Sequence, residues 1–111
     1  MLTLYQLEVL ITVAKHLNIT RAARALHVSQ SAVSQQIERL EGNLRVTLIM
    51  KSRRGIDLTE AGVSVRSESE KILARVNALK KNYGRGISTM IFTLTTSHGL
   101  AALLLLQISE I

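Results

Sequence analysis

Leu4, Leu7, Leu10, Ile11, Ala14 and Leu17 recur at spacings of three and four along the start of the chain. That period predicts an amphipathic helix over residues 4–16. Asn18 stands where a helix cap is needed, ahead of the alanine-rich run 20–26, so a second, short helix follows. His27 and Val28 make a brief connection, and Ser29 is a suitable cap for a third helix from Gln30. In that helix Val33, Ile37, Leu40 and Leu44 form the buried stripe, and the opposite face carries Gln30, Ser31, Ser34, Gln35 and Glu38. Two helices joined by a tight turn, the second with a polar face, predict a helix-turn-helix spanning about 19–38.

Further on, the short apolar stretches 46–49 and 56–58 flank Lys51-Ser52-Arg53-Arg54-Gly55, which predicts a β-hairpin with a basic tip. Thr59 caps a fourth helix with Glu60 in its first turn, running to about residue 81. Val65, Ile72 and Leu79 are seven apart. Ser69, Val76 and Tyr83 form a second row, continued backward by Gly62. Such a seam fits packing on the chain's own domain or on the same helix of another copy. Gly84-Arg85-Gly86 marks a hinge, 90–96 reads as a buried strand, and Ser97 can cap a last helix over 98–109. A strand and helix this apolar cannot bury both faces against each other. Residues 90–111 are therefore expected to begin a larger α/β unit.

Composition narrows the function. The chain has 111 residues and 47% hydrophobic residues, which fits an ordered domain. Its net charge of +6, from 14 Lys and Arg against 8 Asp and Glu, points toward a polyanion. Residues 1–58 carry 8 Lys and Arg against 4 Asp and Glu, so most of the excess lies with the helix-turn-helix and hairpin. Cysteine is absent, which excludes disulfides, thiolate catalysis and Cys-based zinc sites. Proline is absent too, which favours helix. The single Asp57 and the scattered His16, His27 and His98 give no local support for a catalytic triad or a metal site. These histidines read as surface or helix-end residues, and no enzyme, metal or cofactor is expected. The longest purely apolar run, 100–106, is far short of the ~20 residues of a membrane span. Gln6 and Glu8 interrupt the first apolar run, so no secretory leader and no membrane partner are expected. A cytoplasmic location is expected.

Two surfaces carry candidate chemistry. Gln and Ser on the third helix are side chains that can read base edges, although an ordinary solvated helix face has the same look. Three of the five hairpin-tip residues are basic, which suits a phosphate backbone or simply a solvated loop.

The ordered set Ala22-Ala23, Leu26, His27-Val28-Ser29-Gln30, Ala32-Val33-Ser34, Ile37, Leu40-Glu41, Leu44, Leu48, Arg54-Gly55 and Leu58-Thr59-Glu60-Ala61-Gly62 covers more than fifty residues. It resembles the N-terminal DNA-binding domain of LysR-type bacterial transcriptional regulators. The resemblance implies a mainly α fold: a winged helix-turn-helix over 1–58, with three helices and a β-hairpin wing. A linker helix over 59–83 that mediates dimerisation would follow, then a hinge over 84–89. Residues 90–111 would be the start of a truncated effector-binding domain.

Position by position, the resemblance puts Gln30, Ser31, Ser34 and Gln35 in the major groove for base readout. Thr20, Arg21, Lys51, Arg53 and Arg54 fall at backbone phosphates, and Val65, Ser69, Ile72, Val76 and Leu79 on the dimer seam. It implies sequence-specific binding of double-stranded DNA by a homodimer that regulates transcription. The second reading is a truncated interaction module that dimerises with a full-length relative and blocks it. Thr95, Thr96 and Ser97 fall where the family's effector pocket begins; with the rest of that pocket missing, no competent small-molecule site is expected. Two departures matter locally. Ser31 stands where the family usually has Pro. Leu44-Arg45 replaces Leu-Gly, and since a left-handed helix end is strained for Arg, Gly42-Asn43 is expected to end the third helix early.

Overall fold

Thr3 begins the first helix. Its hydroxyl accepts the Gln6 N–H at 3.1 Å, and the Gln6 side chain accepts the Thr3 N–H at 3.2 Å, a reciprocal capping box. In this computed structural model, described over residues 1–84, α1 then spans Leu4–His16. The expected hinge beyond Gly84 and the strand and helix expected over 90–111 lie outside the described residues. The chain divides into two units, Met1–Leu73 and Ala74–Ile111.

The first unit is built around α1, which packs against both α2 and α3. Its buried arc is therefore wider than the single stripe predicted: Leu7, Val9, Leu10, Val13 and Ala14 are buried, whereas Leu4 is exposed. The Asn18 side chain accepts the Arg21 N–H at 2.9 Å and starts α2, Ile19–Leu26. Ala22 and Ala23 are buried, so these two helices approach closely. The turn closes on His27 in the left-handed region, with the Val28 N–H donating to the Ala23 carbonyl at 3.0 Å. The Ser29 hydroxyl accepts the Ala32 N–H at 3.0 Å and starts α3, Gln30–Leu44. Val33, Ile37 and Leu40 of α3 enter the core. Each large side chain buried there contributes about 1.5–3 kcal/mol.

The early end expected for α3 does not occur. The helix continues to Leu44, which packs against the core, and Arg45 itself takes the left-handed conformation at φ 58°. The Arg45 and Val46 N–H groups both donate to the Glu41 carbonyl, the latter at 3.2 Å.

The hairpin also differs in its limits. Strand β1 is Ile49–Ser52 and β2 is Gly55–Leu58, antiparallel, with Ile49 opposite Leu58 and Ser52 opposite Gly55. Val46 and Thr47 precede the ladder, and Lys51 and Ser52, expected at the tip, belong to β1. Only Arg53 and Arg54 turn. Neither has the positive φ of a mirror-image two-residue turn; that conformation falls on Gly55 at φ 126°, where glycine is needed.

Helix α4 spans Glu60–Leu79 and crosses the division between the units. Within the first unit, the Thr59 hydroxyl accepts the Gly62 N–H at 2.9 Å to cap it. Its end falls two residues before the predicted limit of 81, where Lys80–Gly84 forms a π-helical turn. In the second unit residues 75–83 are exposed except Val76, which is half-buried.

Candidate nucleic-acid interface

Burying Val33, Ile37 and Leu40 turns the opposite side of α3 outward. Gln30, Ser31, Ser34 and Gln35 are all exposed on its first two turns. Their amides and hydroxyls offer donors and acceptors without net charge, which is what base-edge recognition uses.

The basic residues sit around the other end of the helix-turn-helix. Thr20 and Arg21 are exposed on the first turn of α2, and Lys51, Arg53 and Arg54 are exposed on the hairpin. Gly55 brings the hairpin against the end of α1: a Cβ built on it would lie 3.5 Å from the Leu17 carbonyl oxygen. This proximity joins two parts that are remote in sequence. Arg21 and Arg54 line one cleft of about 320 Å³, together with His16, Leu17 and Asn18. Thr20, Lys51 and Arg53 do not line it. An adjoining cleft of about 380 Å³ is lined by His16, Arg21, Arg24 and Ala25. His16 and Arg24 are thus additions to the residues singled out from sequence. For His16 the available signal was its place at the end of α1, one residue before the turn that meets the hairpin.

Two guanidinium groups facing one cleft suit a phosphodiester, since each presents several N–H donors and a permanent charge. Arg54 lies 3.7 Å from Asp57 with its own side chain 79% exposed. A pair that open to water holds Arg54 only weakly and leaves it available to a competing anion. Among the described residues Arg21, Lys51 and Arg53 make no ion pair.

The expected α4 seam divides. Val65 packs against the core, and Ser69 is 1% exposed with its hydroxyl donating to the Val65 carbonyl at 2.7 Å. Ile72 and Leu79 are 41% and 57% exposed, and Val76 is half-buried. Among the described residues no helix is long and apolar enough to cross a membrane, and no group of three or more His, Cys, Asp or Glu is placed to hold a metal ion.

Residues 4–63 match the family described as "Bacterial regulatory helix-turn-helix protein, lysR family". The HTH-type transcriptional regulator BudR of Klebsiella aerogenes is 42% identical over 82 residues, covering 74% of this chain and 57% of BudR. Among solved structures, CbnR, a LysR family transcriptional regulator, is 36% identical with a TM-score of 0.68, covering 77% of this chain and 30% of that one. The CbnR_DBD-DNA complex is 34% identical with a TM-score of 0.70, covering 78% of this chain and 99% of that one. The chain therefore spans little more than half of BudR and under a third of CbnR.

Proposed function

Because this chain belongs to the lysR family of bacterial regulatory helix-turn-helix proteins, we propose that it binds double-stranded DNA sequence-specifically as a homodimer and regulates transcription in the bacterial cytoplasm. The observation that carries this reading is that one unit presents both an exposed, uncharged face on α3 and a cleft lined by Arg21 and Arg54. Gln30, Ser31, Ser34 and Gln35 enter the major groove and read bases. Thr20, Arg21, Lys51, Arg53 and Arg54 hold the flanking phosphates, and His16 joins them at the cleft. These contacts supply affinity through counterion release, without sequence preference. The dimer forms through α4, at Ile72, Val76 and Leu79, beyond Val65, which packs against the first unit's core.

Selection of bound fragments from genomic DNA tests the proposal. A shared motif with half-sites about one helical turn, or a multiple of it, apart on one DNA face is expected. Recovery of fragments without any enriched motif overturns sequence-specific binding.

A further inference from the structure

The connector between α3 and the hairpin has little to hold it by packing. Arg45, Val46 and Thr47 are exposed, and only Leu48 is buried. Yet this connector decides where the basic hairpin stands relative to the base-reading helix. Its backbone is tied from two sides. From α4, the Thr59 N–H donates to the Leu48 carbonyl at 2.9 Å, and the Thr59 hydroxyl donates to the Thr47 carbonyl. From α3, the Glu41 carboxylate accepts the Leu48 N–H at 2.8 Å and the Ile49 N–H at 3.4 Å. Ile49 is the first residue of β1, the strand that carries Lys51 and leads into Arg53 and Arg54.

We propose that Glu41 is a positioning residue for the DNA-contacting hairpin: its carboxylate pins the start of β1 to α3 and thereby sets where Lys51, Arg53 and Arg54 meet the phosphates. The proposal rests on the DNA-binding reading above. Among the described residues Glu41 makes no ion pair. On a basic domain a free carboxylate opposes binding to a polyanion, so its use here lies in accepting hydrogen bonds rather than in its charge. Both amides converge on a single oxygen, Oε2. A glutamine retains one such acceptor without the charge, an aspartate keeps the charge but withdraws the acceptor by a methylene, and an alanine lacks it altogether.

The test compares the full chain with Glu41→Gln, Glu41→Asp and Glu41→Ala on a random-sequence DNA duplex, since phosphate contacts do not depend on sequence. Affinity is followed across salt concentrations, and exchange of the Leu48 and Ile49 amides is followed in the free protein. Glu41→Gln is expected to keep the wild-type salt slope and slow exchange. Glu41→Asp and Glu41→Ala are expected to speed exchange and flatten the slope by about one to two units. In a Lys51→Ala/Arg53→Ala/Arg54→Ala background the same Glu41 changes should shift the slope no further, because the contacts they misplace are already gone. If Glu41→Ala does not fold, Glu41→Asp carries the comparison. An unchanged slope in Glu41→Asp, or an equal loss in the background lacking Lys51 and both arginines, overturns the positioning role. If the triple variant itself keeps the wild-type slope, the hairpin does not touch phosphate, and the DNA-contact reading falls together with the role given to Glu41.

Discussion

Gly62 lies so close to Leu48 that a Cβ on it would stand 2.1 Å from the Leu48 carbonyl oxygen and 3.2 Å from the Leu58 side chain. The near neighbour is backbone held by the Thr59 N–H, so it cannot swing aside. The first turn of α4 therefore docks on the connector because residue 62 has no side chain. Gly62→Ala is expected to destabilise the folded chain by about 1–3 kcal/mol through overpacking, although alanine is the better helix former. Urea unfolding checks this, and a gain in stability would mean that α4 docks elsewhere.

Arg45 presents the opposite case. It ends α3 in the left-handed region with its side chain exposed, so the strain is not offset by burial. Left-handed backbone costs an L-residue roughly 1–2 kcal/mol, part of which glycine gives back as unfolded-chain entropy. Arg45→Gly is expected to stabilise the chain by about 0.5–1 kcal/mol in thermal or urea unfolding. A loss of stability would place a compensating contact on the arginine side chain.

The two residues also mark how far the sequence could be read. Helices α1 to α3 were legible because apolar spacing announces their faces, and Asn18 and Ser29 announce the starts of α2 and α3. The phase of α1 was harder: Val9 and Val13 are fully buried because two helices cover it, and a single stripe does not describe that arc. Val46 and Thr47 look like strand residues, but the Arg53-Arg54 turn sets the ladder and draws Lys51 and Ser52 into it. The exposed α3 face and the basic hairpin tip were both visible as residue types. Their surroundings were not, because His16 shares a cleft with Arg54 through the approach of Gly55 to Leu17. Glu41 was hidden for a similar reason: its partners are backbone amides seven and eight residues away, and those amides leave no trace in residue identity. On α4 the seven-residue spacing was plain. Which members face the first unit's core was not, since the Gly62 contact turns Val65 toward it.

Gln35 tests the readout. It is exposed on the second turn of α3, and its amide can pair with one adenine edge through two hydrogen bonds. Gln35→Ala is expected to weaken binding to the selected operator by about 1–3 kcal/mol and to relax one base position, while leaving binding to scrambled DNA unchanged. Competition titrations against both duplexes measure the two effects. Equal losses on operator and scrambled DNA would move Gln35 from readout to general affinity.

Leu79 tests the assembly. Its side chain is 57% exposed at the end of α4, seven residues after Ile72, which is also exposed. A large apolar side chain carried this openly gains about 1.5–3 kcal/mol when a partner covers it. In a symmetric dimer a substitution acts once in each copy, so the effect doubles. Leu79→Asp is therefore expected to weaken self-association by at least roughly 3 kcal/mol, about a hundredfold, in sedimentation equilibrium. Stability of the separated monomer, measured at dilution, should hardly change, because Leu79 is not among the buried residues of the first unit's core. Val65→Ala, acting on a side chain packed against that core, should instead lower stability with little direct effect on association. The opposite pattern, a dimer insensitive to Leu79 but lost with surface changes elsewhere, would place the contact between copies off this helix. An operator would then still carry paired half-sites, but their spacing would be set by that other surface.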